Sequence, residues 1–166
     1  MIKIAQLQAH QVVDAKYVIS GVAQRIYVPE KTAQEFYDIL EEEGELRDMD
    51  DFQQAYVENR GLFYVVTDDD KVVGTGAIKK YDDKVAELKR LWLLEEYHGL
   101  GIGYRVVSLL FDFAREQGYE RIWLQTSLKQ ERAIRFYTRL GFHPIPSYRE
   151  SMDNYSMEII VGEIKK

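Results

Sequence analysis

The sequence predicts an α+β fold in a single domain over 1–166, a mixed and mostly antiparallel sheet flanked by helices. Three observations lead there. Apolar residues recur every three to four positions through the first third of the chain. Three strand-like runs then follow one another with acidic turns between them. Beyond these, helix-like and strand-like segments alternate, and each helix stops at a glycine. At 166 residues, the chain has the length of one domain and can bury a real core.

In order, "HQVVDAKYVISGVAQRIY" places Val12, Val13, Ala15, Val18, Ile19, Val22 and Ile26 at helical spacing. "EKTAQEFYDILEEEG" suggests a second helix with Thr32 as its cap, and "DDFQQAYVENRG" a short third. "LFYVVT" (62–67), "KVVGTGAIKKY" (71–81) and "VAELKRLWLL" (85–94) are rich in strand formers. Turns at 68–70 and 82–84 make them an antiparallel meander. Ile102, Val106, Leu109, Leu110, Phe113 and Ala114 mark a helix face that ends at Gly118. "RIWLQTS" (121–127) is a strand, joined to the 85–94 run by a crossover, so these two should be parallel. Ser127 and Gln130 fit a capping box for the helix "QERAIRFYTRL", closed by Gly141. "FHPIPSY" and "YSMEIIVGEI" finish the sheet as a pair around "RESMDN".

Composition narrows the function classes. Hydrophobic residues make up 46% and charged residues 30%, an ordinary globular balance. No stretch has the length of a membrane span, and the first ten residues lack the pattern of a secretory leader, so the expected location is cytoplasmic, with no membrane partner. The net charge of −6 argues against nucleic acid and is compatible with a cationic substrate. There is no cysteine, so disulfides, thiolate metal sites and a cysteine acyl-enzyme are all excluded, and no metal site is expected.

The stretch "EYHGLGIGYR" sets glycines at 99, 101 and 103, after an apolar run and at the start of a helix. Glycine allows tight turning and close approach of a ligand to backbone N–H groups, and a helix N-terminus favours anions. The spacing is neither that of a P-loop, which needs G-x-x-x-x-G-K-[ST], nor the G-x-G-x-x-G of a dinucleotide fold.

"EYHGLGIGYRVVSLL", after "ELKRLWLL", instead resembles the R/Q-x-x-G-x-G/A signature of the GNAT superfamily of N-acetyltransferases. "QERAIRFYTRLGF" (130–142) is similar to that superfamily's N-x-x-A-x-x-x-Y-x-x-x-G-F segment, and the element order agrees. The resemblance implies a GNAT-like sheet and acetyl-CoA as acetyl donor. It implies that His98, Gly99, Leu100, Gly101, Ile102, Gly103 and Tyr104 hold the pyrophosphate, and that the main chain of Leu91, Trp92 and Leu93 meets the pantetheine arm, with the N–H after Trp92 facing the oxyanion. His98 stands where the family has Arg or Gln, and a surface loop histidine is the plain alternative. Gln130 replaces the family's Asn and either touches the cofactor or caps its own helix.

Acetyl transfer to an amine also needs a proton donor for the leaving sulfur and a base for the ammonium. Tyr137 matches the family's tyrosine donor. Glu87 is the candidate base, or else turns to solvent beside Lys89. Tyr148 is expected to line the acceptor pocket, and Glu41, Glu42 and Glu43 either border the acceptor groove or form a solvated helix face. The expected activity is transfer of acetyl from acetyl-CoA to a primary amine by direct attack in a ternary complex. The rival is a non-catalytic acyl-CoA sensor with the same fold. The family's habit allows a homodimer, which no sequence feature here establishes.

Overall fold

The computed structural model describes residues 1–151 and 154–165. Met152 and Asp153 of the expected 149–154 loop, and Lys166 at the end of the expected domain, lie outside the described residues.

The elements follow as β1 (Ile2–Gln6), α1 (Val12–Tyr27), α2 (Ala33–Glu43), α3 (Arg47–Asp50), α4 (Phe52–Ala55), β2 (Leu62–Asp68), β3 (Lys71–Lys80), β4 (Val85–Leu93), α5 (Ile102–Glu116), β5 (Arg121–Thr126), α6 (Glu131–Leu140), β6 (His143–Ile145) and β7 (Tyr155–Ile160). Their strands form one sheet in the order β1-β2-β3-β4-β5-β7-β6. All neighbours are antiparallel except β4 and β5, the pair joined by the expected crossover through α5.

Helix ends obey local chemistry. Thr32 accepts the Glu35 N–H while the Glu35 carboxylate takes the Thr32 N–H, and Gly44 closes α2 at φ +73°. Gly118 and Gly141 terminate α5 and α6 at positive φ, as expected.

Three expectations need correction. The first residues form β1, an edge strand paired along β2; it is five residues long, too short for its Ile2/Ile4 alternation to stand out. The expected short third helix over 50–61 is split into α4 and a 3-10 turn, and α3 precedes it. The Ser127/Gln130 capping box is absent: Ser127 Oγ accepts the Lys129 N–H, and the Gln130 amide reaches across to the Tyr27 hydroxyl at 2.6 Å.

Both sheet faces are covered, which is why β2 and β3 read as nearly unbroken apolar runs. Val66, Val73, Ile78 and Leu88 meet α5 through Val106 and Leu110. Phe63, Val65 and Ala77 meet α1 and α3 through Ala15, Ile19 and Met49. Gly76 is needed for the first contact, because a Cβ there would stand 2.6 Å from Val106 Cγ1. The opposite layer contains an ion cluster: Lys16, almost fully buried, reaches Glu41 of α2 and Asp50 of α3. Burial works to lower the Lys16 pKa, but the two carboxylates outweigh it and hold the ammonium charged. Glu41 therefore ties helices together, while Glu42 and Glu43 are exposed.

Candidate active site

The sheet forks at its centre. β4 and β5 pair only at Val85↔Arg121, Ala86↔Ile122 and Glu87↔Trp123. Beyond Glu87 the two strands part, so the far half of β4 has β3 on one side and a free edge on the other. Leu94 N–H donates to Val73 O, and Leu93 stands opposite Gly74. Backbone groups alternate in direction along an antiparallel strand, so the N–H and C=O of Leu93 point away from β3, toward the fork.

A bulge sets that edge. The β3–β4 register shifts between Thr75 and Ala77, and opposite it Arg90 adopts φ +57°. A non-glycine residue in that region costs on the order of 1–3 kcal/mol and must be held by its surroundings. Thr75 Oγ1 donates to Arg90 O at 2.6 Å, and the guanidinium donates to Asp48 and to Glu45 O. Tyr56 donates to the same Asp48 carboxylate. Burial pushes Asp48 up, but Arg90 prevails and keeps its carboxyl below the usual range.

At the end of β4 the chain turns through Gly99 (φ +79°) and Gly101 (φ +78°) into α5. Gly101 is the N-cap and offers no side chain, and the first helical bond is Arg105 N–H to Gly101 O. The N–H groups of Ile102, Gly103 and Tyr104 thus have no helical acceptor, and the positive end of the helix dipole lies open. Leu100 and Tyr104 are exposed around this turn. His98 Nε2 lies 3.0 Å from Leu93 O. A carbonyl only accepts, so Nε2 carries the proton and His98 ties the loop back to the end of β4.

Glu87, at the apex of the fork, is 3% exposed. Its carboxylate accepts the Tyr148 hydroxyl at 2.7 Å and both Arg149 Nη groups, at 2.7 and 3.1 Å. Burial would raise its pKa, but Arg149, Lys89 and Tyr148 together hold it below the usual range. Tyr81, Trp123 and Tyr148 pack against one another with centroids 4.7–5.4 Å apart. Trp123 is fixed by donating Nε1–H to Glu158. The Arg149 guanidinium lies 5.4 Å from the Tyr148 ring centroid and 5.7 Å from that of Tyr81. The alternative of Glu87 turning to solvent beside Lys89 is therefore not what the fold does.

Tyr137 lies on α6 in the core beside α5, its ring between Phe136 and Phe142. Burial alone raises its pKa, so the phenol keeps its proton at neutral pH. At the tip of β5, Thr126 Oγ1 is buried with no hydrogen-bond partner among the described residues. Such a group costs about 1–3 kcal/mol unless a partner arrives.

The fold thus gathers Glu87 and Tyr148 at the apex, and Leu91, Trp92 and Leu93 on the strand that leads from it to the glycine turn. Gln130 stands apart from them on the Tyr27 hydroxyl. Sequence reasoning missed Arg90, Asp48, Thr126 and Arg149. Arg149 follows the singled-out Tyr148 directly, and nothing in local spacing pairs it with a residue 62 positions earlier.

A forked sheet edge that leads to a glycine-led helix N-terminus can take an extended ligand that ends in an anion. The model of the Acetyltransferase (GNAT) family matches residues 27–142. The chain belongs to the GNAT acetyltransferase family. It is 35% identical to the probable N-acetyltransferase family 8 member 5 of Mus musculus over 62% of this chain and 48% of that protein. It is 38% identical to human N-acetyltransferase 8B over 57% of this chain and 44% of that one. The chain spans about half the length of these curated relatives. Among solved structures, the PaiA N-acetyltransferase of Thermoplasma acidophilum in complex with coenzyme A matches with a TM-score of 0.81 at 19% identity, covering 96% of this chain and 99% of that one. A GNAT-family acetyltransferase of Staphylococcus aureus also has a TM-score of 0.81, at 20% identity and coverage of 97% and 99%. Among the described residues, no helix is long and apolar enough to cross a membrane, and no cluster of His, Asp and Glu could hold a metal.

Proposed function

We propose that this protein transfers an acetyl group from acetyl-CoA to a primary amine in a ternary complex. The observation that carries the reading is the fork. A backbone edge left open beyond Glu87 leads straight to an uncapped helix N-terminus, which suits an extended amide-bearing arm ending in a pyrophosphate. The Thr126 hydroxyl at the fork's other tine, buried and with no hydrogen-bond partner among the described residues, supports the fit, since such a group favours a polar ligand. When bound, acetyl-CoA supplies an activated thioester carbonyl.

The chain's own groups then have distinct tasks. The N–H groups of Ile102, Gly103 and Tyr104 hold the pyrophosphate, with Gly99, Leu100 and Gly101 shaping the turn. Leu91, Trp92 and Leu93 orient the arm. The Leu93 N–H, aimed into the fork, stabilises the carbonyl oxygen as it gains charge. His98 steadies the geometry by holding Leu93 O. Glu87 takes the proton from the acceptor ammonium, with Tyr148 beside it lining the acceptor pocket. Tyr137 gives its proton to the sulfur as the C–N bond forms and the C–S bond breaks, and the second proton that the nitrogen sheds on becoming an amide restores the phenol. Gln130, bound to Tyr27, positions the start of α6, the helix that bears Tyr137.

The test is a panel of polyamines, amino acids, aminoglycosides and peptides mixed with acetyl-CoA, followed by thiol release and mass spectrometry of the products. A mass gain of one acetyl group with stoichiometric thiol supports the enzyme. Coenzyme A binding with no thiol from any amine would leave the non-catalytic sensor.

A further inference from the structure

We propose that the box formed by Glu87, Tyr81, Trp123 and Tyr148 is the cation subsite for the acceptor, and that Arg149 is its resident plug, displaced when a cationic amine binds. The inference rests on the acceptor reading above and names the substrate's chemistry: a primary alkylammonium head, small enough to enter an aromatic-walled notch.

Four observations carry it. The box has the parts of a cation site, with a buried carboxylate at its floor and aromatic rings as walls. It is already filled by a cation, since Arg149 makes a two-pronged pair with Glu87 and lies over two of the rings. The two partners differ in depth: the Glu87 side chain is 4% exposed and the Arg149 side chain 42%, so the guanidinium can leave into water while the carboxylate cannot. The Arg149 main chain is separately anchored, its carbonyl accepting from Gln125 Nε2 and Ser147 Oγ, so the side chain can swing out without the loop moving.

Chemistry supplies the need. A carboxylate with both oxygens engaged by a guanidinium is a poor base, and Glu87 sits where the fork requires one. Exchange of one cation for another keeps the buried charge compensated throughout, whereas removal of Arg149 without replacement would strand it. Acceptors that carry no cation lack the charge that displaces the plug, which makes Arg149 a specificity filter.

Agmatine, which carries both a guanidinium and a primary ammonium, serves as probe, with pentan-1-ol as its uncharged counterpart. Titration calorimetry on the full chain at pH 8, far above the carboxylate range, without acetyl-CoA, measures binding. Arg149→Ala should bind agmatine about tenfold tighter than the parent, because the competing internal cation is gone. Adding Tyr81→Ala to that variant should reverse most of the gain, and pentan-1-ol should bind neither protein. In turnover, the same Arg149→Ala change should lower the KM of cationic acceptors. Unchanged or weaker agmatine binding in an Arg149→Ala protein that unfolds cooperatively and is folded at the assay temperature overturns the plug. If that variant does not fold, Arg149→Gln carries the same comparison. Because the probe experiment omits acetyl-CoA, it can fail while the amine panel succeeds, and the reverse, so the two readings are separately testable.

Discussion

Tyr137 illustrates how one side chain's surroundings prepare it for a task. A phenol in bulk water has a pKa near 10; packed among Phe136 and Phe142 it is pushed higher by burial, with no charged partner to pull it back. The hydroxyl therefore stays protonated through neutral and mildly alkaline pH, and loss of its proton should produce no alkaline limb in the rate profile below about pH 10. Tyr137→Phe preserves the ring contacts, so folding and coenzyme A binding should persist while turnover drops by about a hundredfold to ten-thousandfold. Single-turnover kinetics, in which product release cannot mask the chemical step, is the measurement. A near-normal rate there removes Tyr137 from the reaction.

At the level of elements, the glycine turn and α5 act as one unit. Gly101 and Gly103 look equivalent in the sequence, yet they occupy different backbones. Gly101 is left-handed at φ +78°, whereas Gly103 lies in the helix, where an added Cβ would meet only Phe136 at 3.6 Å. Gly101→Val should thus cost about 1–2 kcal/mol of stability through backbone strain, and also weaken coenzyme A binding by tilting the N–H groups. Gly103→Ala should fold as the parent does and lose affinity only through crowding of the ligand. Thermal unfolding separates the two, and titration calorimetry with coenzyme A reads the second effect; equal stability of the two variants would refute the strain argument. The β4 bulge follows the same logic, since Arg90 holds a strained backbone only because Thr75 of β3, Asp48 of α3 and Glu45 in the turn before α3 grip it.

Across the whole molecule, buried carboxylates govern acid stability. Burial pushes Asp48, Glu87 and Glu158 up, but Arg90, Arg149 and the Trp123 and Arg121 donors respectively bring each below its usual value. A carboxyl whose folded pKa is lowered contributes stability above its unfolded pKa of about 4 and loses it as pH falls through the folded value. Urea unfolding should therefore give a plateau between about pH 6 and 8 and a steep loss below about pH 4. Asp48→Asn should reduce stability at pH 7 by about 3 kcal/mol, because it strands the Arg90 guanidinium, and should flatten the acid slope. A variant with the parent's slope would mean that Asp48 titrates alike in the folded and unfolded chain.

By itself the sequence determined what depends on near neighbours. The amphipathic spacing of α1 and α5, the Thr32 cap, the glycine stops and the strand runs between acidic turns all express hydrogen bonding and periodicity within a few residues. The glycine turn and Tyr137 stand out for the same reason, as members of short motifs, and Glu87 by its place on the strand that leads to that turn. Tertiary structure alone decided the rest. Strand β1 shows itself only against β2, and β7 inserts between β5 and β6 because the sheet closes that way. Gln130 fits a capping pattern with Ser127, yet its amide finds Tyr27, 103 residues away, once α1 and α6 are brought together. Glu41 looks like one of three equivalent surface acids until Lys16 is buried beneath it. Arg149 meets Glu87 across 62 residues only when the sheet forks. Such pairs are set by register and packing, which no local spacing encodes, and they are also where the charge and protonation of the candidate site are decided.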